Sequence, residues 1–426
     1  MIGVAYIVEI KKRLLSSNLF KDSFWALFGT VIGKALSLFA GIIVARFLGK
    51  GLYGEYGMIK STLINISVFS TLGLGYTVTR FIANHMQEDE SSVSSIINSV
   101  LKITVYFSST IFFLVFLFAQ SIANYLKVPE TTNAFRLAAF IILVNAISTT
   151  QIGILAGFKA FKVTAINSSV VGGVTFFLST LLTYMYGLNG ALVALFISIV
   201  IGTVLNTISI NNLKKRLCNR KAHVKRTKEL ISFSIPVALQ EFLYSVVVWG
   251  CSMFMVKYSN YEELGLLGAS SQWISIIYFI PGVLKNVALS YLSSEGNVHL
   301  YKRMLQINFM ATFVPYLFVL VFSSFITSMY GSKYDGLWIV LVIGTAQPIF
   351  TSMSTVIIYE FIARNKTWLM FMVRLVRESS ILVLVWIGLH LFTSNGALIV
   401  SLIQLVVSIL FFVIMFFVSR KFLCCN

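Results

Sequence analysis

Charge is what this sequence has least of. Only 11% of its 426 residues are Asp, Glu, Lys or Arg, while 58% are hydrophobic. A soluble domain carries about 25% charged residues, so a water-facing globular surface is excluded and a polytopic membrane protein is implied. Cysteine and histidine are also sparse, four of each. Cys218, Cys251, Cys424 and Cys425 show no metal-ligand spacing, and no histidine pairs with a cysteine or carboxylate at one. No metal and no other cofactor is therefore expected. A prenylation box needs its cysteine fourth from the end, where Leu423 stands. Long polar stretches are missing as well. A membrane polymerase or acyltransferase would need a catalytic cluster and a sizeable outer loop, and neither is visible, so an enzyme is not expected.

Acids are scarcer than bases, giving a formal net charge of +18. In a soluble chain that balance would suggest nucleic acid. Here it follows from topology, because basic residues gather in cytosolic loops. MIGVAYIVEI is too short for a cleavable signal and is followed by the basic KKRLLSSNLFKDS. The first ~20 residues read as a cytosolic interfacial segment and the next helix as an uncleaved anchor.

What the chain does have is apolar runs. A span needs about 20 residues, and the runs predict about twelve helices. They lie near 22–47, 53–80, 96–123, 134–156, 161–186, 190–212, 230–257, 264–292, 304–330, 337–362, 367–392 and 396–419. Pro129, the Gly-Leu-Asn-Gly at 187–190, Gly331 and the Ser-Asn-Gly at 394–396 punctuate the breaks. The fold class expected is an all-α membrane protein of two six-helix bundles. Lysines and arginines alternate between rich and poor loops, which places both termini in the cytosol. The richest loop, 214–228, divides the chain into an N-terminal bundle (1–213), a basic cytosolic linker (214–228) and a C-terminal bundle (229–426). A short motif repeats across it. Leu52-Tyr53-Gly54-Glu55-Tyr56-Gly57 enters the second helix, and Glu263-Leu264-Gly265-Leu266-Leu267-Gly268 enters the eighth with the same glycine spacing. Two parallel six-helix repeats are a plan of rocking-bundle transporters. Pro236, Pro281, Pro315 and Pro348 fall inside second-half helices, where each removes a backbone donor.

Charges inside the spans are the candidate functional residues. A lysine at the centre of a span costs about 2.5–3.5 kcal/mol on translocon scales, so it should face a wet cavity or a partner. Lys34 is such a residue, and it borders a seam of small residues, Gly29, Gly33, Ser37 and Gly41, suited to close helix packing. Glu241 lies at similar depth in the seventh helix, where it could balance Lys34. Arg374, Arg377 and Glu378 share one face of the eleventh helix at i, i+3, i+4 spacing, which allows an Arg374–Glu378 ion pair within the helix. Lys60 and Lys285 are shallower, where long side chains can reach the interface. The buried cations Lys34, Lys60, Lys285, Arg374 and Arg377 outnumber the acids Glu241 and Glu378. A cationic cavity of low dielectric favours an anionic cargo such as a phosphate, and either acid could couple transport to a proton or other cation.

Ala45-Arg46-Phe47-Leu48-Gly49 followed by Tyr53-Gly54, then Leu72-Gly73-Leu74 with Arg80, resembles the N-terminal pattern of bacterial polysaccharide transporters. These are the O-antigen and capsular repeat-unit flippases of the multidrug/oligosaccharidyl-lipid/polysaccharide (MOP) superfamily. Lys50 stands where that pattern usually has proline. The resemblance implies flipping of an undecaprenyl-pyrophosphate-linked oligosaccharide repeat unit from the inner to the outer leaflet of the bacterial cytoplasmic membrane. It implies alternating access, drive from a proton or sodium gradient, and polysaccharide polymerase machinery as a partner. A multidrug exporter of the same superfamily and a lipid II flippase are the alternatives. The exporter would favour buried acids for cationic drugs, the reverse of the balance here.

Overall fold

In the computed structural model the described residues are 18–71, 73–88, 90–125, 132–215, 217, 227–282, 298–363, 367–392 and 394–424. They are almost entirely helical and contain no strand. The helices in chain order are α1 (Asn18–Thr71), α2 (Leu74–Glu88), α3 (Glu90–Leu117), α4 (Ala119–Tyr125), α5 (Thr132–Gly157), α6 (Phe161–Lys214) and α7 (Thr227–Tyr258). There follow α8 (Tyr261–Ile277), α9 (Val298–Val321), α10 (Ser323–Tyr330), α11 (Leu337–Ala363), α12 (Thr367–Leu391) and α13 (Gly396–Cys424). Both α1 and α6 are two arms joined at a glycine: Gly49 (φ 70°, ψ 169°) and Gly187 (φ 56°, ψ −134°) break the helical run. A side chain would be strained at either φ, which is why these two glycines turn the chain. With α1 and α6 counted by arm, most described helices fall on the apolar runs of the sequence. The runs 53–80, 96–123 and 304–330 are each broken in two, near Gly73, Phe118 and Phe322, and α2 continues past residue 80 to Glu88. Seven described segments are long and apolar enough to cross a bilayer. Pro315 lies inside α9 and Pro348 inside α11.

The chain divides into two compact units. Residues 1–40 and 62–242 form one; residues 41–61 and 243–426 form the other. Lipid is as apolar as leucine, so helices in a bilayer associate through close packing and buried hydrogen bonds. Unit one shows this plainly. On the first arm of α1 a Cβ at Gly33 would lie 2.5 Å from the Ser168 carbonyl oxygen, and one at Gly172 would lie 2.5 Å from the Gly33 carbonyl oxygen. The Ser169 hydroxyl donates to the Gly29 carbonyl at 2.6 Å. Here Gly29 and Gly33 of the small-residue seam meet a second small-residue stripe on α6, whereas Ser37 is exposed and Gly41 meets Gln272 of unit two. Between α2 and α5, Gly75 and Gly153 are in backbone contact, and the Thr79 hydroxyl bonds both their carbonyls at 2.8 Å. An apolar cluster that includes Leu74, Val78, Ile97, Ile154 and Leu155 fills the same region. Asn167 donates to Asn206 at 2.9 Å and Gln151 Nε2 to Thr207 at 2.8 Å, pairing amide N–H groups that burial would otherwise penalise.

In unit two the repeated motif becomes a crossing. Gly54 packs on the backbone of Tyr261, and Gly265 packs on the backbone of Lys50; a Cβ at either would collide with that carbonyl. Lys50 precedes Gly54 by four residues and Tyr261 precedes Gly265 by four, so the contact is reciprocal. Lys50 Nζ closes on Glu262 Oε2 at 2.9 Å. Tyr53 bonds Gln272, and the Tyr334 hydroxyl donates to the Ala45 carbonyl at 2.9 Å. Asn260 caps α8 by accepting from the Glu263 backbone N–H at 2.8 Å. A second cluster, of Tyr301, Leu305, Val356, Ile357, Phe411 and Met415, packs α9, α11 and α13 together.

Candidate functional site

Among the sequence-derived charges, Lys34 belongs to unit one and Lys60, Arg374, Arg377 and Glu378 belong to unit two. Lys285 lies outside the described residues, as does the side chain of Glu241. A Lys34–Glu241 balance therefore has no described geometry.

Lys34 is exposed and sits one residue round the helix from Gly33, which is buried. The burial of Gly33 follows from the glycine crossing with α6, and that crossing sets the rotation of the arm. Lys34 is thereby turned out of the packed seam. Ser37, one turn on, is also exposed, and its hydroxyl bonds back to the Gly33 carbonyl at 2.9 Å. Lys60, half-buried, places its ammonium 5.8 Å from the centre of the Tyr56 ring, one turn away on the same arm. At that distance a cation–π attraction contributes about 0.5–1 kcal/mol where exposed.

The densest constellation is at the middle of α12. Glu378 is buried, with a side chain 3% exposed, against 16% for Arg377. The expected i, i+4 partner, Arg374, is half-buried and contributes a weaker attraction than Arg377. The ion pair instead joins sequence neighbours: Arg377 Nη1 lies 3.1 Å from Glu378 Oε1. Helical neighbours at i, i+1 do not normally face each other. The long arginine stem can curl back because α13 holds the guanidinium from the other side. Ser408 Oγ is 3.5 Å from Nη2, and the Phe411 ring centre is 5.4 Å from Cζ. Cys251 of α7 and Tyr278, just beyond α8, lie within electrostatic reach of Glu378, and the Tyr278 hydroxyl bonds Thr351 of α11. The sequence singled out none of Ser408, Phe411, Cys251, Tyr278 and Thr351. Ser408, with Ser401 and Gln404, interrupts the apolar run of α13 and was an available signal. No group of three or more His, Cys, Asp or Glu that could hold a metal ion occurs among the described residues.

The arrangement offers cations at helix centres, one exposed and one held by a buried acid. Cations of this kind can bind an anion. A family model described as "Polysaccharide biosynthesis protein" matches residues 19–286. A Shigella flexneri protein described as "Putative O-antigen transporter" is 23% identical over 295 residues, which span 67% of this chain and 69% of the relative. Two solved structures share the fold. An inward-facing multidrug resistance MATE family transporter of the MOP superfamily aligns with TM-score 0.75 at 14% identity, over 91% of this chain and 95% of its own. The lipid II flippase MurJ, in an inward closed conformation, aligns with TM-score 0.74 at 15% identity, over 92% of this chain and 87% of its own.

Proposed function

The chain belongs to the polysaccharide biosynthesis protein family, and from that premise we propose that it is a lipid-linked oligosaccharide flippase. Its cargo is an undecaprenyl-pyrophosphate-linked repeat unit of O-antigen or capsule, moved from the inner to the outer leaflet of the bacterial cytoplasmic membrane. The observation that carries this reading is the similarity, over two thirds of the chain, to a protein described as an O-antigen transporter. The charges fit it. Lys34 in unit one, and separately the Arg374–Arg377 face of α12 in unit two, are each suited to a phosphate group, since charge-assisted bonds from Lys and Arg to phosphate are strong and short. Sugars would occupy the wet part of the path, and the prenyl tail would stay in lipid.

The mechanism proposed is alternating access, with both termini in the cytosol and a cation gradient, of protons or sodium, as the drive. Glu241 and Glu378 are the acids available for coupling or charge balance, and Lys60 and Lys285 are the further cations that the sequence offers to the cargo. A cationic-drug exporter fits less well, because the buried acid Glu378 already carries its own guanidinium.

Complementation tests the reading. Expressed in a bacterium that lacks its repeat-unit flippase but keeps the matching glycosyltransferases, the protein should restore surface polysaccharide. Inserted protein with lipid-linked repeat units still accumulating on the inner leaflet would overturn it.

A further inference from the structure

Arg377, its side chain 16% exposed, has less than its full set of partners. A guanidinium carries five N–H donors in a planar fork that matches two oxygens of a carboxylate or phosphate. Here Nη1 meets a single carboxylate oxygen at 3.1 Å and Nη2 reaches Ser408 Oγ only at 3.5 Å. Nε is buried and has no hydrogen-bond partner among the described residues. Buried donors are rarely left unmade, so the fork is built for more oxygen than Glu378 gives it. Arg374, half-buried one turn away, extends the same cationic face. The groups facing Glu378 are Arg374 and Arg377 on its own helix, Cys251 on α7 and Tyr278 beyond α8, with Tyr244 of α7 facing Tyr278. From α11 and α13 the neighbours are Thr351, Ser408 and Phe411, none of which titrates.

Resting on the anionic-cargo reading, we propose that Arg377 and Glu378 form an exchangeable pair: a pyrophosphate takes the Arg377 fork, and the displaced Glu378 carboxylate takes up a proton from solution. The charge balance requires the second half. A carboxylate 3% exposed that loses the Arg377 guanidinium keeps only the weaker attraction of half-buried Arg374, a poorly compensated buried charge that is costly in a protein interior. One proton removes that charge, and the O–H formed can still donate to a neighbouring oxygen. Linkage then makes the effect reciprocal: protonation of Glu378 releases Arg377 and favours pyrophosphate by the same factor. Cargo and proton thus bind together, and the site itself ties anion binding to a proton.

The full-length protein in nanodiscs, titrated with geranylgeranyl pyrophosphate, tests this. Infrared difference spectra on binding should show a new protonated-carboxyl band that shifts with carbon-13 glutamate labelling. The band should survive Glu241→Gln and vanish in Glu378→Gln. Above the pH at which uptake becomes complete, wild-type affinity should fall about tenfold per pH unit, the slope for one linked proton. Should Glu378→Gln fail to fold, the labelled wild type with Glu241→Gln still reads the band. Binding with no carboxyl band in wild type, or a band that Glu241→Gln removes, overturns the exchange and leaves the flippase reading standing. Absence of pyrophosphate binding overturns the anionic-cargo reading and the exchange with it.

Discussion

Lys34 and the Arg377–Glu378 pair are charges placed near the middle of apolar helices, and the chain treats them in opposite ways. Lys34 is exposed because its neighbour Gly33 is pressed backbone-to-backbone on α6. Glu378 is buried, Arg377 is largely covered, and the two neutralise each other across 3.1 Å. The exposed lysine can be reached by an anion without any loss of packing. The largely covered arginine is reached only by replacing its carboxylate. Lys34 should therefore matter for transport and little for stability, whereas the pair should matter for stability before anything else.

The sharpest way to break this contrast is Lys34→Ala. It should abolish surface polysaccharide in a complementation assay while membrane insertion and thermal midpoint stay near wild type; Lys34→Arg should retain part of the export. Next in size is Glu378→Gln, which leaves a largely covered guanidinium without its counter-charge and should cost about 3–5 kcal/mol. Thermal unfolding in detergent would show it, and a double variant that makes both positions methionine should recover most of the loss. The glycine crossings come third. Gly33→Ala and Gly265→Ala force a methyl into a backbone contact and should each cost about 1–3 kcal/mol. Gly57→Ala and Gly173→Ala meet nothing within 4 Å and should be close to silent or slightly stabilising. Smallest is Glu262→Gln, which removes the partly exposed Lys50 pair and should cost about 0.2–1 kcal/mol, less at high salt.

Much of the architecture was legible because a bilayer imposes a simple rule on composition. Most of the apolar runs, the gap between 47 and 53, the glycine break at 187, and the Gly29–Gly33 part of the small-residue seam correspond to observed features, whereas Ser37 and Gly41 of that seam do not meet α6. The repeated Gly54 and Gly265 motif was visible as spacing. That it would become a reciprocal crossing was not, since spacing says nothing of which helix a glycine meets. The same limit applies at α12. Helical periodicity proposed Arg374 as the partner of Glu378, yet the chosen partner is Arg377, fixed by Ser408 and Phe411 from a helix thirty residues later in the chain. Nor could periodicity tell that residues 41–61 pack with unit two while the chain on either side of them packs with unit one.

The central claim is that the headgroup phosphate is what the helix-centre cations recognise. The direct measurement is leaflet-to-leaflet transfer in proteoliposomes that contain the purified protein. It would compare an undecaprenyl-pyrophosphate-linked oligosaccharide with a lipid carrying the same sugars on a neutral linkage. The pyrophosphate lipid should be translocated well above protein-free vesicles and the neutral lipid should not, with the difference lost in Lys34→Ala. Equal translocation of both lipids would contradict the account.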